Sequence, residues 1–232
     1  MLYRLLLPVA RALLRIAFRL LGGYRIEGAH HVPSRGPVII APNHLSHADP
    51  ALVGIALPRG AWFLATDELF SIRWLGPLAR ILRAVPVRQD SPDRTALRRV
   101  ESLLKSGAAV VIFPEGHESA DGQLQPLQRG PALLAIRTST PIVPVGIVGT
   151  NAMLPARSFR LRRAPAPAIV RFGAPLSAEK LCGGYTGRRA VDHATRLLEA
   201  ALRDLTQDSG ATRGDGLAVS PTEGIHLASG EG

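Results

Sequence analysis

A chain of 232 residues, 46% of them apolar, is long enough to bury a core and too apolar to be disordered throughout. A single cysteine, Cys182, excludes an intrachain disulfide and any zinc site built on cysteines. A net charge of +10 and a pI of about 11.2, carried almost wholly by arginine since Lys105 and Lys180 are the only lysines, favour an anionic partner without choosing among membrane phosphates, a phosphorylated substrate, an acidic carrier and nucleic acid.

The first 23 residues, MLYRLLLPVARALLRIAFRLLGG, are written as a helix that the glycine pair ends. Its charges are Arg4, Arg11, Arg15 and Arg19, which at ~100° per residue fall within roughly 80° of one another. A spanning helix would carry arginines into hydrocarbon at ~2.5–3.5 kcal/mol each near the centre. A signal peptide would need an unbroken apolar stretch, which Arg11, Arg15 and Arg19 interrupt. One cationic stripe beside a broad apolar face fits a helix lying on a membrane surface, and packing on the protein's own core is the competing reading.

Downstream, strands and helices alternate. YRIEG (24–28), GPVIIAP (36–42), AWFLA (61–65), AVPVR (84–88), AAVVIFP (108–114), PIVPVGIVG (141–149) and AIVRFG (168–173) read as strands. Helices are expected after Asp49-Pro50, with Asp49 as N-cap and Pro50 in the first helical position, and over 71–82. Others are expected from Ser91-Pro92 to Gly107, over 130–139 and near 188–206. This order predicts an α/β fold, a mostly parallel sheet flanked by helices, whose ligands gather at the carboxyl ends of the strands. From Gln207 the composition turns to Gly, Ser, Asp and Thr, as in a disordered tail.

The chemistry concentrates in NHLSHADP (43–50), which follows an apolar strand. His44, His47 and Asp49 have ligand-type side chains, yet no second cluster completes a metal site. A histidine braced by a carboxylate is a general base, and both His44 and His47 can reach Asp49. An ordinary helix cap beside two surface histidines fits the spacing as well. Nucleic-acid binding rests on charge alone, because no binding motif is present and aromatic residues are only 5%.

A second block, FPEGHES (113–119), also follows an apolar strand. Asn-His-four residues-Asp with Phe-Pro-Glu-Gly some seventy residues later resembles the lysophosphatidic acid acyltransferase (PlsC-like) family of glycerolipid acyltransferases. The resemblance runs from about Tyr24 to Asn151, with AVPVR similar to the family's second block and PIVPVGIVGT, holding Pro144, to its fourth. With the membrane-associating helix at 1–23 and the tail at 207–232 read above, it implies an acyltransferase domain at 24–206; the family's membrane binding agrees with that helix and implies a protein peripheral on the cytoplasmic face of the cell membrane. His44 matches the catalytic histidine and Asp49 its partner, while His47 falls at a variable position and is expected to be a bystander. The expected substrate-binding set is Asn43, Arg88, Glu115, Gly116, His117 and Arg129. Asn43 would position the loop and Arg88 meet a phosphate-bearing acceptor. Glu115 would organise its loop or touch the acceptor, and Gly116 would let backbone approach a ligand.

The implied reaction moves a fatty acyl group from acyl-CoA or acyl carrier protein to the hydroxyl of a lysophospholipid, foremost 1-acylglycerol-3-phosphate, with no metal and no cofactor. The alternatives are another lysolipid or hydroxylated lipid as acceptor, a thioesterase or other hydrolase using the same His-Asp pair, or a lipid-binding scaffold whose site is inactive. Departures bear on the acceptor. The family often continues FPEG with Thr-Arg-Ser, where this chain has His117, Glu118 and Ser119. It also commonly carries a lysine near Thr66 and a glycine near Arg83. Arg88 and Arg129 are the expected replacements for the missing positive charge.

Overall fold

The computed structural model describes residues 2–66, 83–87, 94–156 and 160–207, of which 2–7 as backbone only. The expected helix at 71–82, Arg88, the helix start at Ser91-Pro92 and the tail from 208 lie outside the described residues. The described strands are β1 (Tyr24–Glu27), β2 (Val38–Pro42), β3 (Ala61–Thr66), β4 (Ala84–Val87), β5 (Ala109–Val111), β6 (Ile142–Val148) and β7 (Ala168–Phe172). They form one sheet in the order β1-β7-β6-β2-β5-β3-β4, parallel throughout except where β6 meets β7.

Around it lie α1 (Leu2–Leu20), α2 (Asp49–Ala56), α3 (Arg94–Lys105), α4 (Gly130–Thr138), α5 (Thr150–Met153), α6 (Ala178–Cys182) and α7 (Gly187–Gln207). The short α5 and α6, and a 3₁₀ turn at Ala29–His31, were not expected. One turn is too short to display a 3.6-residue period.

β2 explains why the sheet is covered on both sides. All five of its residues are buried. Val38 and Ile40 face a core that includes Phe18 of α1 and Leu52 and Val53 of α2. Ile39 and Ala41 face the opposite core, with Val100 and Leu104 of α3, Ala135 of α4 and Leu198 and Leu202 of α7. A strand buried on both faces is written as an unbroken apolar run, as PVII is. α3 buries Ala96, Val100 and Leu104, one position per turn, and turns its charged side to water.

Two contacts fix the sheet's edges of tolerance. Arg83, ahead of β4, has a left-handed backbone (φ 62°), the conformation that glycine adopts without strain. At Gly146 of β6, α7 comes so close that a Cβ would stand 2.7 Å from the Cβ of Leu205 and 2.8 Å from its carbonyl oxygen. Gly146→Ala should therefore lower stability by ~1–3 kcal/mol, the usual cost of overpacking a core. Gly130→Ala, where a Cβ would meet nothing within 4 Å, should leave the thermal midpoint unchanged or raise it. Equal midpoints for Gly146→Ala and the parent protein, by calorimetry, would show that α7 does not lie this close.

Candidate active site

β2 and β5 are parallel neighbours, with Ile40 opposite Val111. Four residues past each of these partners stand His44 and Glu115, so the register alone brings the two motifs together at the carboxyl edge of the sheet.

Asn43 marks where the chain leaves the sheet. Its backbone N–H donates to the Val145 carbonyl at 3.2 Å. Its side-chain amide donates to the Ile147 carbonyl (3.1 Å) and accepts the Ile147 N–H (2.6 Å). The side chain thus prolongs the β2–β6 ladder. It is buried and committed to this pairing.

His44 Nδ1 lies 2.9 Å from Asp49 Oδ2, and the same oxygen accepts the backbone N–H groups of Leu45 (2.6 Å) and Ser46 (2.8 Å). A carboxylate only accepts, so Nδ1 carries the proton and Nε2 keeps its lone pair. The ring stacks on Phe113, centroids 4.1 Å apart at 29°, and its side chain is 12% exposed. Asp49 is not the expected N-cap. It is the first residue of α2, after Ala48, and its carboxylate turns back onto the preceding loop. Three donors in that loop take its Oδ2 in place of the helix amides. Ser46 secures the loop by donating to the Leu154 carbonyl (2.6 Å) and accepting the Ala48 N–H (3.0 Å).

Glu115 locks the second loop onto the first. It is fully buried. Its Oε1 accepts the His44 N–H at 2.6 Å and its Oε2 accepts the Gln125 N–H at 2.7 Å. Burial holds its carboxyl above the ordinary value, against the pull of the Gln125 and His44 amides. The Ser119 N–H donates to the His44 carbonyl (2.8 Å), so both halves of the His44 peptide are held. Glu115 thus organises its loop, the first of its two expected roles, through both carboxylate oxygens.

Gly116 turns the loop with φ 83°, and its N–H donates to the Phe113 carbonyl (3.2 Å). A Cβ there would meet only Gln128 Cγ at 3.8 Å, so conformation rather than space calls for glycine. His117 is exposed beside it. Glu118 Oε1 lies 2.5 Å from His47 Nδ1 and 3.6 Å from His44 Nε2. His47 thus shares a carboxylate with the ring of His44. Arg129 is ion-paired at 2.8 Å with Asp192 of α7, its side chain 55% exposed. Pro144 is buried in β6, its carbonyl accepting the Gly173 N–H (2.9 Å). Among the described residues no three His, Cys, Asp or Glu side chains are grouped to hold a metal ion.

The sequence reading missed the Phe113 stack and the His47–Glu118 pair. The signal for the first was an aromatic residue at a strand end opening the second motif. The second had none, because loop side-chain direction is not periodic.

This arrangement supplies one thing: an imidazole of fixed tautomer, anchored through its backbone and Nδ1, with Nε2 available for a proton. Comparison with known proteins agrees with the fold. The model of the acyltransferase family matches residues 23–148. A 1-acyl-sn-glycerol-3-phosphate acyltransferase of Bacillus subtilis is 29% identical over 139 residues, 60% of this chain and 69% of its own length. A chloroplastic 1-acyl-sn-glycerol-3-phosphate acyltransferase of Brassica napus is 32% identical over 136 residues, 57% of this chain, which spans only 39% of that relative. The crystal structure of the 1-acyl-sn-glycerophosphate acyltransferase PlsC of Thermotoga maritima superposes with a TM-score of 0.74 at 23% identity, over 90% of this chain and 82% of that one.

Glu115→Gln tests the brace. Its amide NH₂ would confront the N–H of either His44 or Gln125, leaving a buried donor without an acceptor at a cost of ~1–3 kcal/mol. Urea denaturation should show that loss, and an unchanged midpoint would remove Glu115 from the role of brace.

Proposed function

The chain belongs to the acyltransferase family, and from that premise we propose that it moves a fatty acyl group from a thioester donor, acyl-CoA or acyl carrier protein, to the free hydroxyl of a lysophospholipid. The observation that carries the reading is the hydrogen bond between His44 Nδ1 and the buried Asp49 Oδ2, which leaves Nε2 as a base. In this mechanism Nε2 takes the proton from the acceptor hydroxyl as its oxygen attacks the thioester carbonyl. The tetrahedral intermediate collapses with cleavage of the carbon–sulfur bond, and the thiolate recovers the proton from the His44 imidazolium. Products are the acylated lipid and a free thiol, with no covalent enzyme intermediate. Asp49 steadies the imidazolium and is not itself protonated. The names of the relatives make 1-acyl-sn-glycerol-3-phosphate the first acceptor to try. Glu118, facing Nε2, favours a second reading, another lysolipid.

The lipid substrate also accounts for α1. No described helix is long and apolar enough to cross a membrane. α1 packs Phe18 and Leu14 on the core and turns Arg11 inward, its guanidinium donating to the Leu57 and Arg59 carbonyls at 3.3 and 3.4 Å. Val9, Leu13, Ile16 and Leu20 are 54–72% exposed and lie within ~60° of one another on the helix. Exposed Arg15 and Arg19 edge this stripe. The stretch with exposed Arg160, Leu161, Arg162 and Arg163 adjoins it, the Ala164 N–H bonding the Leu21 carbonyl at 2.8 Å. An apolar stripe edged by arginine suits an anionic lipid surface, such as the cytoplasmic leaflet.

Thiol release from acyl-CoA and acyl carrier protein thioesters, with and without lysophospholipids, tests the reaction. Release should depend on the acceptor and fall ~10²–10⁴-fold in His44→Ala. Release without acceptor would favour a thioesterase, and full activity in His44→Ala would end the proposed mechanism. Leu13→Asp should leave turnover of detergent-dispersed substrate intact while abolishing sedimentation with anionic vesicles. Undiminished sedimentation would separate α1 from the membrane.

A further inference from the structure

Glu118 stands where the reacting hydroxyl must come. A base accepts a proton across a hydrogen bond of about 2.6–3.2 Å, and Glu118 Oε1 is already 3.6 Å from the nitrogen concerned, His44 Nε2. The carboxylate is not a loose surface charge: its side chain is 20% exposed, and His47 Nδ1 holds the same oxygen at 2.5 Å. An acceptor bonded to Nε2 therefore carries its next substituents within roughly 4–6 Å of this carboxylate. In that range a unit charge in a partly buried site changes affinity severalfold, the sign set by the partner's charge.

Nothing in the two loops offsets it. Residues 43–49 and 113–125 contain four carboxylates (Asp49, Glu115, Glu118 and Asp121), three histidines and neither lysine nor arginine. Of the arginines beyond the second loop, Arg129, four residues on, is paired with Asp192.

We propose that Glu118, held by His47, sets the choice of acceptor by charge: it disfavours a hydroxyl beside a phosphate monoester dianion and favours one beside an uncharged or ammonium-bearing head group. This rests on the acyl-transfer reading and concerns the same site. His47 acts through Glu118 and is a positioning residue.

The test compares kcat/KM for three acceptors of one acyl chain in mixed micelles: 1-acylglycerol-3-phosphate, 1-acylglycerophosphoethanolamine and 1-acylglycerol. The full chain is used with both thioester donors, alongside Glu118→Gln, which is nearly isosteric, and Glu118→Arg. The ratio of phosphate monoester to each of the other two acceptors should rise at least about fivefold in Glu118→Gln and further in Glu118→Arg. A ratio unchanged in both variants, even with all three rates lowered together, overturns the proposal, since a purely structural residue would act equally on all acceptors. A ratio that falls overturns it too. Transfer to none of the three in the parent protein, with either donor, would instead defeat the acyl-transfer reading on which the proposal rests.

Discussion

One carboxylate oxygen organises the site. Asp49 Oδ2 collects the ring N–H of His44 and the backbone N–H groups of Leu45 and Ser46 while the residue is fully buried. A buried charge is tolerable only when donors are directed at it, and here the donors are the loop itself. The same three bonds fold the loop, choose the imidazole tautomer and aim the ring. The spacing of His44 and Asp49 is thus a consequence of geometry: the loop must return far enough for the first helical residue to reach back over it. As the ring gains a proton at Nε2, the opposite charge is already in place at Nδ1, so little has to rearrange.

That node depends on the sheet. Two loops some seventy residues apart in sequence meet because β2 and β5 are adjacent, parallel and in register. Glu115 then ties the loops through backbone amides on both sides, and the stack of His44 on Phe113 closes the contact. Rigid elements position the ring, and the loop between them has few degrees of freedom left. This economy explains why so many of the motif residues are occupied with holding His44.

Which parts of this were legible follows the range of the interactions. The strands were legible because apolar runs such as PVII and AVVI have one physical reading, burial on both faces. The His44–Asp49 pairing was reachable because its partners are five residues apart, though spacing alone also allowed a metal site or a cap. The place of Asn43 in the ladder was not legible because its partner, Ile147, is 104 residues away and becomes a neighbour only when β6 pairs with β2. Glu115 was left between two roles for the same reason, its partner His44 being 71 residues off. The pairing of Arg129 with Asp192 of α7 had no local signal, because the two residues are far apart in sequence and a long flexible side chain has no periodic direction. In α1 the period foretold an amphipathic helix. It did not foretell that one apolar edge packs inward with Arg11 while the other is left exposed.

The charge distribution resolves an apparent conflict between a strongly basic protein and acidic loops around its candidate base. Net charge acts at a distance, up to the Debye length of about 8–10 Å at physiological salt. A net charge of +10 favours approach to anionic partners in general. Exposed arginines at Arg15, Arg19 and Arg160 to Arg163 sit beside the apolar stripe of α1, where such attraction can be converted into contact. On the proposal above, discrimination between acceptors would act elsewhere, over a few ångströms around Nε2, where the carboxylate of Glu118 stands 3.6 Å away. The two ranges are independent, so a protein can be recruited by negative charge and still select against it at the reacting hydroxyl.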